Sequence, residues 1–143
     1  MKRFAAAALV LGALLCGPAD AGAADLRVTV DGLRSDNGHV NFGLYYQPDK
    51  FPGRAGVIEG GRAKIEGGRA IFVFRDLKPG RYAVSVFHDE NDNGKFDRSL
   101  IGLPLEGYGF SNNAKVTLTT PPFDEAAVTV GEAGAATTIT IVY

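Results

Sequence analysis

An all-β fold, an antiparallel β-sandwich of about seven short strands, is what this sequence predicts. Three observations carry that reading. Apolar and polar residues alternate in short runs, as in Leu26-Arg27-Val28-Thr29-Val30-Asp31, which marks a strand with one buried face. Turn formers separate the runs, from a total of 19 Gly and 7 Pro, and these residues punctuate strands rather than extend helices. No stretch of ten or more residues in the domain carries a helical apolar period.

The N-terminus reads separately from the domain. Lys2 and Arg3 precede an apolar run, Phe4 to Cys16, that is short for a bilayer span, and Ala21-Gly22-Ala23 fits a small-residue cleavage pattern. Residues 1–23 are therefore expected to be a secretory signal peptide, cut after Ala23 or Ala24. A retained anchor is the alternative; lipidation of Cys16 fits poorly, because Leu15 precedes it. Residues 24–143 then form a single exported domain, periplasmic or extracellular. Cys16 is the only cysteine, so the cleaved chain has no disulfide and relies on packing and a bound ion. The signal segment carries Lys2, Arg3 and Asp20, which takes the net charge from −1 to −2. That balance offers no basic surplus to nucleic acid and no polybasic run to anionic lipid. No later segment is long and apolar enough to span a membrane.

Along the domain, 26–33 and 39–46 alternate on either side of Asp36-Asn37-Gly38. The Asn-Gly pair favours a tight hairpin, so these two runs are expected to pair antiparallel. Gln47 to Gly68 is Gly- and Pro-rich, and Glu59-Gly60-Gly61-Arg62-Ala63 recurs as Glu66-Gly67-Gly68-Arg69-Ala70. Two copies make no solenoid; a slipped duplication or a hairpin tipped by Gly67-Gly68 is the modest reading. Ala70 to Phe74 is continuously apolar and is expected to be a central strand. Lys78-Pro79-Gly80 turns the chain into an alternating strand, Tyr82 to Phe87. Residues 115–119, 126–130 and 136–143 are β-prone, and Pro121 to Glu125 suits a turn or one helical turn.

Chemistry concentrates in one loop. Asp89 to Asp97 reads DENDNGKFD, with oxygen-bearing side chains at positions one, three, five and nine and Gly94 at six. That spacing wraps a short segment around a hard cation. The expected calcium ligands are Asp89, Asn91, Asn93, the Lys95 carbonyl and Asp97, with Glu106 the nearest later carboxylate able to complete the shell. Glu90 and Asp92 are expected to point outward and add only long-range negative potential. Position twelve is Leu100 rather than a bidentate Glu, and the flanks read as strands, so the loop is not an EF-hand. Few charged ligands imply weak affinity, on the order of 10⁻⁴–10⁻³ M. Magnesium suits the loop less, because it demands near-ideal octahedral geometry. The competing reading is a run of Asx turns with no metal.

The stretch from Leu77 to Phe123 resembles an uncharacterised family of bacterial exported β proteins, a domain of unknown function. The likeness rests on Leu77, Pro79-Gly80-Arg81-Tyr82-Ala83-Val84, His88-Asp89-Glu90-Asn91, Asn93-Gly94-Lys95 and Asp97. It continues through Gly102, Pro104, Glu106-Gly107-Tyr108-Gly109-Phe110-Ser111-Asn112-Asn113 and Pro121-Pro122-Phe123. It implies no activity. The Leu-x-Pro-Gly-x-Tyr turn resembles that of transthyretin-like and collagen-adhesin B-type sandwiches, which implies an Ig-like or transthyretin-like architecture by analogy. Thr137 to Tyr143 has no Asn for the Lys–Asn crosslink of those adhesins. It ends Thr140-Ile141-Val142-Tyr143, not in the Tyr-Arg-Gly-Ser tail of transthyretin-related hydrolases.

Other residues divide between chemistry and structure. His88 beside Asp89 could serve as a general base, which is the hydrolase alternative; the plainer role is a hydrogen-bonded residue bracing the loop. His39 is expected to be exposed. Two histidines without cysteine leave zinc short of ligands. Ser111 lies outside a G-x-S-x-G context, and no phosphate-cradling loop is present. Tyr108 and Phe110 with Asn112 and Asn113 suit sugar or peptide binding. The structural alternative is a loop folded over the ion site, its aromatics plugging the sandwich end. The expected function is a calcium-binding, non-enzymatic envelope module whose partner is a glycan, a peptide or an envelope protein. A purely structural envelope subunit without a ligand is the remaining alternative.

Overall fold

The computed structural model describes residues 23–143, and the expected signal peptide lies outside them but for Ala23. Eight strands follow one another: β1 (Ala24–Asp31), β2 (His39–Tyr45), β3 (Val57–Lys64), β4 (Ala70–Leu77), β5 (Gly80–Asp89), β6 (Tyr108–Phe110), β7 (Val128–Val130) and β8 (Ala135–Thr140). They form two sheets, ordered β4-β1-β8 and β3-β2-β5-β6, with β7 also paired to β5. Every strand pairing is antiparallel except β1 with β8, which is parallel. The all-β sandwich expected from the alternation is the architecture found. Leu26, Val28, Val30, Val40, Leu44, Phe74, Val84 and Ile139 are fully buried between the sheets, each contributing about 1.5–3 kcal/mol by leaving water.

The expected hairpin between 26–33 and 39–46 does not form. β1 pairs with β4 and β8, whereas β2 pairs with β3 and β5. Residues 32–38 instead arch from one sheet to the other. Alternation tells which face of a strand is buried but not which strand lies beside it, and both inner faces need apolar residues. Leu33 is buried inside the arch, its N–H bonded to the Gly68 carbonyl at 3.2 Å.

The same crossing recurs at Gly67-Gly68. The tip is a tight turn, with φ of 60° and 73° and an isolated Glu66–Arg69 bridge, as the glycines predict. Beyond it β3 and β4 part into opposite sheets. The two Glu-Gly-Gly-Arg-Ala copies are therefore not structurally equivalent: one lies inside β3 and the other spans the turn. Ala70 to Phe74 is not central but belongs to an edge strand, with Ile71 exposed. Its inner face carries Ala70, Phe72 and Phe74, with the Phe72 ring stacked on Phe42 and over Gly61, while Ile71 and Val73 lie on the outer face, where burial is only partial.

Lys78-Pro79 carries the chain from β4 to β5. The Tyr82 hydroxyl donates to the Lys78 carbonyl at 2.8 Å, a tyrosine corner that fixes this crossing. β5 pairs along one edge with β2; along the other it meets β7 at Gly80–Tyr82 and β6 at Ser85–Phe87. Between those partners, buried Ser111 stands in for a strand: its hydroxyl accepts the Val84 N–H at 2.8 Å and donates to the Ala126 carbonyl at 2.5 Å. Residues 115–119 form no strand, contrary to the expectation from their composition, since β propensity makes a strand only where pairing and packing support it. Pro121 and Pro122 lead into one helical turn, Phe123–Ala126, as expected. It packs Phe123 and Ala126 against Tyr45, Ala83 and Phe110 in a second apolar cluster. Among the described residues no helix is long and apolar enough to cross a membrane.

Candidate metal centre and adjoining cleft

Strand alternation places the loop. Val84, Val86 and His88 of β5 point into the sandwich, so Asp89 points to the outer face of the larger sheet and begins the loop there. Asp89 is fully buried. Its Oδ1 accepts the Asn93 N–H at 3.0 Å; its Oδ2 accepts the Gly94 N–H at 2.7 Å and the Asn41 amide at 3.2 Å. Asn91 and Asn93 donate their amides to Asp97 Oδ2 at 2.7 and 2.8 Å. Their oxygens accept the N–H groups of Asn93 and Lys95 at 3.2 and 2.8 Å. Gly94 turns the chain at φ 72°. The four oxygen-bearing side chains predicted as ligands are thus gathered into one turn, tied together by Asx hydrogen bonds. Those bonds alone also satisfy the bare Asx-turn reading.

Carboxylates around the loop fall into two classes. Glu90 pairs with Arg34 and accepts the Ser35 hydroxyl; Asp92 pairs with Arg62 and lies 2.8 Å from His39 Nδ1. Contrary to the expectation that they add only long-range potential, these two tie the loop to the arch and to β2 and β3. His39, expected to be exposed, is half-buried by that contact. Among the described residues, Asp89, Asp97 and Glu106 form no ion pair.

Glu106 closes the base of the loop. It is buried, and its carboxylate accepts the N–H of Glu90 at 3.2 Å and of Asp97 at 3.0 Å. Burial pushes its carboxyl above the usual range, the two backbone bonds oppose this, and the charges of Asp97 and Asp89 add to the rise. Glu90 moves the other way, held low chiefly by its bond to Arg34. Three carboxylates therefore share one negative region. Among the described residues no three His, Cys, Asp or Glu side chains form a metal-holding group. A cation would draw on Asp89 and Asp97 together with Asn and main-chain oxygens, an all-oxygen donor set of the kind calcium takes.

Beside the loop, the outer face of the larger sheet carries a cleft of about 750 Å³. Phe87, Tyr108 and Phe110 form its floor, the loop contributes Lys95 and Phe96, and Val116 and Leu118 stand opposite. Asn41 joins the two features, lining the cleft and donating to Asp89. Phe96 stacks edge-on to Tyr108 at 5.8 Å between ring centroids.

Tyr108 and Phe110 do not lie in a loop and do not plug the sandwich end. They stand on β6, paired to Phe87 and Ser85, because Gly107 and Gly109 let that strand pack closely: a Cβ on Gly109 would come within 2.6 Å of Ile139. Asn112 and Asn113 turn away into structural roles. Asn112 donates to the Ala127 carbonyl at 2.6 Å, and Asn113 accepts the Thr140 N–H at 2.8 Å. Both occupy the left-handed region, at φ 57° and 50°, which Asn tolerates.

His88 is fully buried on the inner face. Its Nε2 donates to the Asn37 carbonyl at 2.8 Å, and Nδ1 lies 2.5 Å from the Tyr143 hydroxyl. That hydroxyl in turn accepts the Arg34 N–H at 3.1 Å. His88 and Asp89 project from opposite faces of β5 and do not meet, so the dyad of the hydrolase alternative is not assembled.

The Lys78–Tyr82 corner, the Asp89–Asp97 loop and strand β6 all lie in a region of the chain that matches known sequences. Residues 28–139 match the uncharacterised proteins conserved in bacteria grouped as DUF2141. The chain belongs to that family. The match takes in strands of both sheets, the loop and the cleft floor. No curated protein and no solved structure matches the chain.

Several site residues escaped the sequence reading. Phe87, Phe96, Arg54 and Arg98 line the cleft, and only Phe96 had a visible signal, as the one apolar side chain in an otherwise polar loop. Arg54 comes from a Gly-rich connection with no periodicity to place it, and Val116 from a run read as β-prone that pairs with no strand.

Proposed function

We propose that the loop Asp89–Asp97 binds calcium, and that the protein is an exported β-sandwich module of the bacterial envelope with a binding role. The sorting of carboxylates carries the reading. The outward pair, Glu90 and Asp92, has its own cations, while Asp89 and Asp97, whose charges are felt at Glu106, have none among the described residues. Like charges held together cost stability, and a divalent cation removes that cost. Export rests on the N-terminal segment, where Lys2 and Arg3, the apolar run and Ala21-Gly22-Ala23 form the pattern of a cleaved signal. Calcium at millimolar concentration outside the cytoplasm suits a weak site of this kind.

The test is a melting curve in EDTA and then in about 2 mM calcium, a concentration chosen against extracellular affinities. Binding at 10⁻⁴–10⁻³ M stabilises the folded state by about 0.6–1.8 kcal/mol, a rise of roughly 2–9 °C for a domain of this size. Asp97→Asn removes one of two charged ligands and loses most of the rise; Asp92→Asn, on the outward side, keeps it. A rise absent in wild type would leave the loop as a metal-free turn, one unchanged in Asp97→Asn would place the ion elsewhere, and one matched by magnesium would overturn the preference for calcium.

A further inference from the structure

We infer that the cleft over β2, β5 and β6 is a binding site for a monomeric amphiphilic carboxylate, an acyl chain with one anionic end. The inference stands apart from the calcium reading, since it uses different side chains. The cleft's volume of about 750 Å³ falls in the range of about 300–1,000 Å³ typical of small-molecule sites. Its floor is rigid and aromatic. Phe87 and Tyr108 face each other on paired strands, and Phe110 and Tyr45 are anchored in the second apolar cluster.

Charge selects the occupant. Arg54, Lys95 and Arg98 line the cleft, and no Asp or Glu does. None of the three is in an ion pair among the described residues. Arg98 lies over the Phe96 ring at 5.0 Å, which holds a guanidinium at the cleft's edge. Three unneutralised cations around an apolar floor are complementary to an anion with a hydrocarbon body.

Exposed aliphatic side chains stand on both lips. Leu103 is 59% and Leu118 101% exposed. Leu103 sits on a small finger, residues 97–105, closed by the Ser99 N–H to Leu103 carbonyl bond at 2.8 Å and the Leu105 N–H to Asp97 carbonyl bond at 3.0 Å. Leu118 sits on the loop opposite. Such side chains cost free energy in water and gain by closing over a chain laid between them. A flat membrane surface would engage only the tips of these loops and leave the concave aromatic floor unused, so a single amphiphile in the cleft fits the shape better.

The probe is 11-(dansylamino)undecanoic acid, titrated against the purified protein in EDTA and displaced by saturated carboxylates. Saturable one-to-one binding is expected, displaced by a sixteen-carbon carboxylate and not by the matching amine. Each methylene removed from the competitor weakens it about fourfold while the chain is buried. The exposed double variant Arg54→Gln/Arg98→Gln weakens binding roughly five- to tenfold, two surface charge contacts in the middle of their usual range. Leu103→Asp/Leu118→Asp weakens it through the lips without touching either sheet. Absence of saturable binding would overturn the inference, as would equal displacement by the amine. So would affinity unchanged in both double variants, or binding to phosphatidylglycerol vesicles without uptake of the monomeric probe.

Discussion

Gly38→Ala would strike the contact between the arch and the loop. Gly38 has φ 66°, and a Cβ added there would sit 1.8 Å from the Asp89 carbonyl oxygen, 2.8 Å from the Asp89 carbonyl carbon and 2.9 Å from Glu90 Cα. All three atoms are backbone, so no side chain can swing aside. Reaching an ordinary contact of 3.4 Å from 1.8 Å requires the arch to retreat by at least about 1.6 Å, about half the separation of a hydrogen-bonded pair. The first casualties are the 2.8 Å bond from His88 Nε2 to the Asn37 carbonyl and the pairing of His39 with Asp89. The left-handed backbone costs about 1–2 kcal/mol for a residue with a Cβ. One buried hydrogen bond lost costs about 1–3 kcal/mol more. The expected destabilisation is about 2–5 kcal/mol, measured by urea denaturation followed by circular dichroism. Gly102→Ala is the control, because Gly102 has φ 83° with nothing within 4 Å and so reports the backbone strain alone. If the two variants lost equal stability, the close approach of arch and loop would be refuted. Because Asp89 begins the loop, Gly38→Ala should also shrink the calcium-dependent rise in melting temperature.

Two further outcomes follow from single side chains. Glu106 has its folded pKa raised by burial, with Asp97 and Asp89 adding to the rise, so its stability contribution is full below the unfolded value and is lost as pH rises through the folded one. Glu106→Gln removes that titration. The stability of Glu106→Gln relative to wild type, measured in EDTA from pH 4 to 7, should therefore improve as pH rises about the ordinary carboxylate pKa; a flat difference would refute the sign. Ser111→Ala removes the hydroxyl that bridges Val84 N–H and the Ala126 carbonyl. Leaving those buried groups unpaired is expected to cost about 2–4 kcal/mol, and a change under about 0.5 kcal/mol by denaturant melt would show that another group or water replaces it.

Legibility differed by element, for physical reasons. β1, β2 and β5 were readable because Leu26, Val28, Val30, Val40, Phe42, Leu44, Tyr82, Val84 and Val86 alternate along one face each, and period two needs no knowledge of partners. β3 was not, because Gly60 and Gly61 erase its alternation, and its order comes from β2 alongside and the Phe72 ring above Gly61. The three residues of β6 were too short a run to distinguish from a loop. The ion-loop side chains were legible as a set because their spacing is local, within nine consecutive positions. Their electrostatic sorting was not, because Arg34 and Arg62 reach Glu90 and Asp92 from elements far away in the chain.

Local sequence alone determined the strand faces, the tight Gly67-Gly68 tip, the single turn at Phe123 and the gathering of oxygens between Asp89 and Asp97, since each depends on the conformational preferences of adjacent residues. Tertiary structure decided which strands pair, that Asn37-Gly38 makes an arch rather than a hairpin, that His88 and Asp89 face apart, and that Phe87, Phe96 and Tyr108 meet over a cleft. Those outcomes depend on burying two apolar faces against each other, and that free energy is collected between residues far apart in the chain.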